Sequence, residues 1–585
     1  MAEVEIQTER VDDIPLLIRQ QEQMGIPDVL NEVIRPHGNR KGLSVGWLVA
    51  AWLSYMLSEA DHRMSEVEPW AEQHMQTLQA LLPEPVQVKD FTDDRLADVL
   101  RALSDDETWA EIETRLGQRL VRVYELSPGP VRVDSTSVAV YHDTEGRTLF
   151  RHGHSKDHRP DLAQFKVMLG ALDPLGMPIA TLVVAGHEAD DGLYLPAIER
   201  SRSVVGQGGR VYRRKIFRLY IGDCKMGALA TRAAIHASGD YYLVPLARTG
   251  KVPALLTSLL KRVWAKEQAL HPIWPPEDEG PQERPRWLAL GFETTRPQQA
   301  QVKGQRVNWN ERVLVVYSPA LARQARQGLE KRLQRAEEAV KALTPPRGRG
   351  RRQWTDVEGL QARVEAILKQ QRVEGLLEVT YTREVERRHI RRYGPRPART
   401  EERVRYVVQV RRNEEAIREA RRRLGWRVYV TNAPPETLSL SQAVWAYRGT
   451  PRIDRNFSRL KGHPLGIRPL YVQREDHARG MVRLLSLALR VLTVVEHVVR
   501  KGLQAAGETL KGLYAGNPNR ETARPTTERL LKAFRGITLS IVRLPEQTIC
   551  HVTPLSALQR RILELLGLSA SIYEDLALLV ELIPP

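Results

Sequence analysis

A single change of period constrains the fold of this sequence more than any other feature. Up to about residue 125, apolar positions recur at helical spacing. After the breaker Leu126-Ser-Pro-Gly-Pro130 they alternate, and Val131-Arg-Val-Asp-Ser-Thr-Ser-Val-Ala-Val-Tyr141 has the pattern of a strand. Two more strand-like runs follow, at 165–172 and 178–185. A helix over 193–205, a strand over 218–223, a helix over 226–237 and a strand over 240–245 complete the series. Three strands in succession, then alternating helix and strand, predict an α/β domain with a mixed sheet.

That domain has flanks and an interruption. Residues 1–125 are expected to be helical, with segments at 14–18, 24–30, 43–57 and 91–103. This region is either a DNA-binding or dimerisation domain or a packing domain. The first part of the α/β domain spans 126–248. Residues 249–432 interrupt it with strand candidates at 287–292 and 312–317, a long helix over 319–343, a basic loop at 345–352 and a helix over 414–423. The runs 377–383 and 403–412 fit strands or helices equally. A strand at 426–431 closes the interruption. Residues 433–500 return to the α/β domain with helices at 438–447, 451–461 and 477–501. The tail, 501–585, is expected to be helical at 530–535, 555–566 and 573–582.

Length and charge narrow the function. A chain of 585 residues exceeds what one core accommodates. Its net charge of +17 points to a polyanionic partner, nucleic acid first. Within 383–424 there are 15 arginines against seven acidic residues, so nearly half of the surplus lies in that stretch. Two cysteines, Cys224 and Cys550, exclude a disulfide framework and fit a reducing compartment. The first residues lack the pattern of a signal peptide. The most apolar run, 481–499, is broken by Arg483, Arg490, Glu496 and His497, and is expected to be a core helix rather than a membrane span. The expected location is the cytoplasm, with no membrane partner.

Three aspartates stand where a carboxylate needs a reason. Asp134 is in the middle of a strand of apolar and small residues, and Asp223 ends the strand Leu219-Tyr-Ile-Gly-Asp223. Burying either carboxylate is costly unless it is paired or binds a metal. The third is in Ala446-Tyr-Arg-Gly-Thr-Pro-Arg-Ile-Asp-Arg-Asn-Phe-Ser-Arg-Leu-Lys-Gly462. Here Thr450 is the expected N-cap and Pro451 the first helical residue. Ile453, Phe457 and Leu460 form the buried stripe, and Asp454, Ser458 and Lys461 share the adjacent face. Asp454 and Lys461 are separated by about 10.5 Å of rise. Asp454 lies in the first turn, where the positive helix end favours an ionised carboxylate. Neighbouring strand ends converge in an α/β sheet, so Asp134 and Asp223 are expected to meet. Three carboxylates in a basic setting suit Mg²⁺ or Mn²⁺. Two such ions can activate a nucleophile and stabilise the leaving oxygen at a phosphodiester.

With these residues in view, the chain resembles the DDE transposases of bacterial insertion sequences, in particular the insertion-sequence-four-like subgroup. The resemblance covers about residues 131–489. It rests on Val133-Asp-Ser-Thr136, on Gly153-His-Ser-Lys-Asp-His-Arg-Pro-Asp-Leu162 with Gln164, and on Ile221-Gly-Asp-Cys-Lys-Met-Gly227. Tyr447, Asp454 and Lys461, with six residues between each pair, followed by Arg468-Pro-Leu-Tyr471, make the last block. It implies a multidomain α/β fold whose ribonuclease-H-like mixed sheet is interrupted by a large basic α+β insertion, between helical N- and C-terminal regions. It implies that Asp134, Asp223 and Asp454 are catalytic metal ligands for two Mg²⁺ or Mn²⁺ ions, and that Tyr447 and Lys461 contact DNA near the cleaved phosphate. The family's arginine would fall at Thr450, with Arg448 and Arg452 as substitutes. Lys156 and Arg159 are expected to touch substrate. The family also has Glu where this chain has Asp454, one methylene shorter by about 1 to 1.5 Å. Glu436 and Glu475 are the other acids within sequence reach. The implied partners are double-stranded DNA, both terminal inverted repeats and target, and a second copy of the chain. The implied setting is the bacterial nucleoid.

Other chemistries fit less well. His142, His152, His154 and His158 match no closed zinc site. Cys224 lacks the partners of a nucleophile and is expected to be a packing residue. Trp287, Trp309 and Trp354 in the insertion are candidates to stack on a flipped base.

Overall fold

The computed structural model describes residues 5–35, 41–126, 129–205, 218–274, 287–346, 348, 353–392, 394–395, 397–449, 451–544 and 547–582. It is a mixed α/β chain with a large mixed sheet and with helices towards both ends. Strand β1 (Glu5–Arg10) precedes helices α1 (Ile14–Met24), α2 (Ile26–Val33), α3 (Val45–Glu59), α4 (Val67–Gln73), α5 (Met75–Leu81), α6 (Asp93–Ser104) and α7 (Asp106–Val123). The α/β series is β2 (Val131–Val140), β3 (Ala163–Leu172), β4 (Met177–Ala185), α8 (Asp190–Val205), β5 (Leu219–Gly222), α9 (Leu229–Ala237) and β6 (Tyr241–Pro245). Next come α10 (Val252–Trp264), β7 (His271–Ile273), β8 (Ala289–Val302), β9 (Gln305–Tyr317), α11 (Pro319–Leu343), α12 (Val357–Gln371), β10 (Leu377–Ile390), β11 (Arg399–Arg412), α13 (Glu414–Arg422) and β12 (Trp426–Thr431). Helices α14 (Leu440–Arg448), α15 (Pro451–Lys461), α16 (Glu475–Ala506) and α17 (Thr527–Lys532) follow. The chain then runs through β13 (Thr538–Arg543), β14 (Thr548–Val552), α18 (Ala557–Leu566), α19 (Ser571–Glu574) and α20 (Leu576–Glu581).

These elements form two compact units. The first comprises Met1–Ala247, Arg296–Glu311 and Val430–Pro585; the second comprises Arg248–Thr295 and Arg312–Tyr429. The N-terminal helices and the C-terminal region therefore share a unit with the α/β series. Strands β8, β9 and β12 are divided between the units.

In the first unit the sheet runs in the order β4-β3-β2-β5-β6. Strands β2, β3 and β4 are antiparallel neighbours, whereas β2–β5 and β5–β6 are parallel. Strand β3 is buried at every position, and β2 at every position but Asp134. Helix α8 packs on β2, β3 and β4, with α15 on β2 and α16 on β4, so apolar side chains are accepted on both faces. The N-terminal helices pack on α16. Gly480 makes this possible, because a Cβ there would lie 2.1 Å from the Leu100 carbonyl oxygen on α6. Arg490 of α16 donates to Pro178 O of β4 at 2.8 Å and to Glu113 of α7 at 2.7 Å. No helix among the described residues is long and apolar enough to cross a membrane.

Two terminal regions expected to be helical contain strands as well. β1 pairs antiparallel with β13, and β13 with β14, in a separate three-stranded sheet. β1 buries only Glu9, so it carries no apolar alternation, and its strand conformation comes from its partner. In β13, Leu539 and Ile541 do alternate and are buried.

In the second unit, the undecided runs of the insertion form one long hairpin, β10–β11, in register from Leu377↔Arg412 to Ile390↔Arg399. Helices α11, α12 and α13 cover its base around Leu329, Leu333, Val364, Val408 and Ile417. Its far half is solvated and laced by cross-strand pairs, such as Arg387–Glu402 and Arg405–Glu384, both at 2.7 Å. Helices α10 and α12 and the short strand β7 are additions that the sequence pattern did not predict. Of the expected basic loop, Arg347 and 349–352 lie outside the described residues.

One buried acid makes the stability of the first unit pH-dependent. Asp13 precedes α1, but its carboxylate accepts a bond from Ser58 Oγ at 2.6 Å instead of capping the helix. Burial pushes its pKa up to about 6, and the Ser58 bond only partly offsets this. A raised folded-state value gives stability that is complete below the unfolded value and is lost as pH rises through about 6. Asp13→Asn should therefore stabilise the fold at pH 7.5 by about 1 to 3 kcal/mol, and the gain should shrink towards zero near pH 4. Urea unfolding at the two pH values measures it.

Candidate active site

Parallel pairing brings the first two acids together. Strand β2 pairs with β5 through Val133↔Gly222. Asp134 and Asp223 are the next residues along each strand, so they emerge side by side. Asp134 Oδ1 accepts the Ser135 N–H at 2.7 Å. Asp223 Oδ1 accepts the Tyr194 hydroxyl at 2.6 Å and the Lys225 N–H at 2.8 Å.

Helix α15 supplies the third acid. Ile453, Phe457 and Leu460 are buried. Asn456 donates to Gly176 O at 2.6 Å, in the turn between β3 and β4. Arg455 and Arg459 hold Glu496 of α16 at 2.6 and 2.7 Å, and Arg459 also holds Glu528 at 2.7 Å. The helix is thus fixed on its inner side, leaving Asp454 exposed. Thr450, the expected N-cap, lies outside the described residues.

Asp134 feels the charge of both other acids. Burial pushes the Asp134 pKa up to about 6; Asp223 and Asp454 push the same way, while Lys156 and the Ser135 N–H oppose them. Burial also raises Asp454, against Arg132 and Lys156. Glu475 is committed elsewhere, accepting the N–H groups of Thr148, Leu149 and Phe150 at 2.9, 2.7 and 3.2 Å. Glu436 is exposed in the turn before α14.

Two residues without a sequence-based role complete the acid side. Asp190, in the first turn of α8, is 2.7 Å from Lys166 and 3.6 Å from Lys156. Burial raises its pKa, but the Lys166 bond and the charge of Lys156 outweigh burial and hold it low. Tyr194 is one turn further along α8, and burial and the charge of Asp223 push its pKa well up. The Asp190/Tyr194 spacing on one helix face was the available signal.

The expected DNA-contacting residues are distributed differently. Lys156 turns towards the acids: its ammonium donates to Ser135 O at 2.6 Å and Ser135 Oγ at 2.8 Å, and it lies 3.6 Å from Asp134. Lys461 lies 2.8 Å from Asp157, whose other oxygen is 3.0 Å from Arg468. Burial lowers the Lys461 pKa, and Asp157 opposes that. Arg159 is exposed and grips Asp161 at 2.7 Å. Arg452 pairs with Asp173 at 3.2 Å, beside Arg132. Tyr447 is half-buried and Arg448 exposed on α14. Trp309 is buried against His236 with its N–H on Tyr242, so it is not available for stacking. Trp354 donates to Leu343 O at 3.0 Å, and Trp287 is exposed. Cys224, expected to pack, is exposed in the turn after β5.

The donor set fits a hard divalent cation: carboxylate oxygens, two of them on groups that burial pushes up. It is not closed into a cage. Among the described residues, no group of three or more His, Cys, Asp or Glu is drawn together as a metal site.

No protein-family model and no curated protein matches this chain.

Proposed function

We propose that the protein is a DDE-type DNA transposase, cutting at the ends of a mobile element and joining those ends to target DNA. The observation that supports this most is the emergence of Asp134 and Asp223 side by side at the ends of two parallel strands, with the charge of Asp454 on a later helix reaching Asp134. The strand order β4-β3-β2-β5-β6 supports a ribonuclease-H-like catalytic sheet. The arginine-rich second unit supports a duplex partner.

In this reading Asp134, Asp223 and Asp454 would hold two Mg²⁺ or Mn²⁺ ions. Such ions supply Lewis acidity towards the attacking and leaving oxygens of a phosphodiester. Tyr194 and the Lys225 N–H fix one oxygen of Asp223, so that its carboxylate needs little reorganisation. Lys461 and Arg468 contribute positive charge where a phosphate would lie, and Arg448, Arg452, Tyr447 and Arg159 extend that side. The chemistry is hydrolysis that releases a 3′-hydroxyl, then in-line attack of that hydroxyl on target DNA. Neither step forms a covalent bond to the protein. Holding two ends together calls for a homodimer on DNA, in the cytoplasm at the nucleoid.

A second reading is a DNA-binding protein without catalysis. The short third acid, Asp454, and the open acid cluster favour it. One experiment separates the two. Purified protein with end-bearing duplex and Mg²⁺ should release a 3′-hydroxyl at the element boundary, and Asp134→Ala should bind the duplex without cutting it. Pre-cleaved ends should be joined to a plasmid, which distinguishes a transposase from a nuclease that stops at hydrolysis. Undiminished cutting by Asp134→Ala would overturn the site. Binding by wild type without cutting in Mg²⁺ or Mn²⁺ would favour the second reading.

A further inference from the structure

We infer that the adjacent pair Lys156-Asp157 is an internal stand-in for both ligands of the site, so that cation and DNA phosphate enter by displacing one loop. The inference rests on the transposase reading and concerns how that site is regulated.

Consecutive side chains point to opposite charges. Lys156 lies 3.6 Å from Asp134 and 3.6 Å from Asp190, with two bonds to Ser135. Asp157 lies 2.8 Å from Lys461 and 3.0 Å from Arg468. Local bonds impose the reversal. Ser137 Oγ accepts the Lys156 N–H at 3.3 Å, and Ser155 Oγ accepts the N–H groups of Asp157 and Arg159 at 3.3 and 3.2 Å. His158, the next residue, is held at φ 57°, in the left-handed region that is unfavourable for a side chain. The Arg468 contact is one of charge alone: Asp157 Oδ2 is buried and has no directed hydrogen bond. A phosphate, with more acceptor oxygens, would satisfy Lys461 and Arg468 better than this carboxylate does.

Both stand-ins belong to one short loop. As a divalent cation enters, Lys156 must leave the acids, which draws Asp157 away from Lys461 and Arg468. Duplex binding displaces Asp157 and loosens Lys156. The two ligands should therefore raise each other's affinity by the same factor.

The test uses the full-length protein and binding alone. Lys156→Met should bind Mn²⁺ about tenfold tighter than wild type without DNA, by calorimetry. Asp157→Asn should bind a fluorescent end duplex about tenfold tighter in EDTA. In both variants the factor by which duplex tightens Mn²⁺ binding should fall towards one. Melting temperatures check folding, and Lys156→Gln replaces Lys156→Met if the latter is unstable. Equal or weaker Mn²⁺ binding by a folded Lys156 variant overturns the inference. If wild type binds Mn²⁺ and cuts but neither variant binds tighter, only this inference falls. If neither wild type nor variant binds Mn²⁺, the transposase reading falls with it.

Discussion

Asp223→Asn should slow single-turnover end cleavage in Mg²⁺ by about a thousandfold or more, while changing duplex affinity by less than about threefold. The substitution keeps the shape of the side chain and an oxygen for Tyr194 and the Lys225 N–H, so β5 and α8 should stay in place. What it removes is one negative charge at the strand end beside Asp134. A loss of about 4 kcal/mol of transition-state stabilisation corresponds to the predicted rate change. Because Asp223 makes no phosphate-type contact, a gel shift should barely respond. A cleavage rate within about tenfold of wild type would remove Asp223 from the catalytic set.

Arg490→Met should destabilise the first unit by about 3 to 5 kcal/mol, by removing one partner of a fully buried ion pair. Arg490 and Glu113 are both 0% exposed. Burial drives Glu113 up and Arg490 down, so in each case desolvation outweighs the partner's attraction. Glu113 Oε2 already lacks a hydrogen bond, and the guanidinium lies 5.5 Å from the Trp109 ring centre. Methionine alone would leave the Glu113 carboxylate without its counter-charge in an apolar interior. Adding Glu113→Leu should recover most of the loss, since an apolar pair of similar volume needs no desolvation. Denaturant unfolding of the two single variants and the double variant gives the cycle. A loss below about 1 kcal/mol for Arg490→Met would show that water reaches the pair.

How far the sequence spoke depends on where each side chain ends up. Strands β2 to β6 were legible from runs of apolar, β-branched and small residues, as in Met177–Ala185. Helices α15 and α16 were legible from their apolar spacing. Strand β1 was not, since Glu5–Arg10 faces water and takes its shape from Thr538–Arg543. The β10–β11 hairpin was ambiguous for a related reason: with both faces of its outer half solvated, neither period is imposed. At the site, Asp134 and Asp223 announced themselves as carboxylates in apolar strands, and Asp454 as part of a spaced block. Lys156 was expected to touch substrate; that its ammonium lies beside Asp134 and Asp190 was not legible, because a basic loop residue gives no sign of the acids next to it. Tyr194 and Asp157 went unnoticed as ordinary helix and loop polar residues, respectively. Their role depends on which distant charges reach them, and no local pattern encodes that.

The pairing of β1 with β13 also has a consequence in time. The ribosome makes Glu5–Arg10 roughly 530 residues before its partner Thr538–Arg543. At about 5 to 20 residues per second, the first strand waits roughly half a minute or longer with its edge unclaimed. Its glutamates and arginine, rather than apolar residues, keep that waiting edge from pairing with a neighbour's. A message cut short before Thr538 would yield a chain that holds all three aspartates yet leaves Glu5–Arg10 without its partner strand. Such a product, with that edge left open, is a natural target for proteolysis.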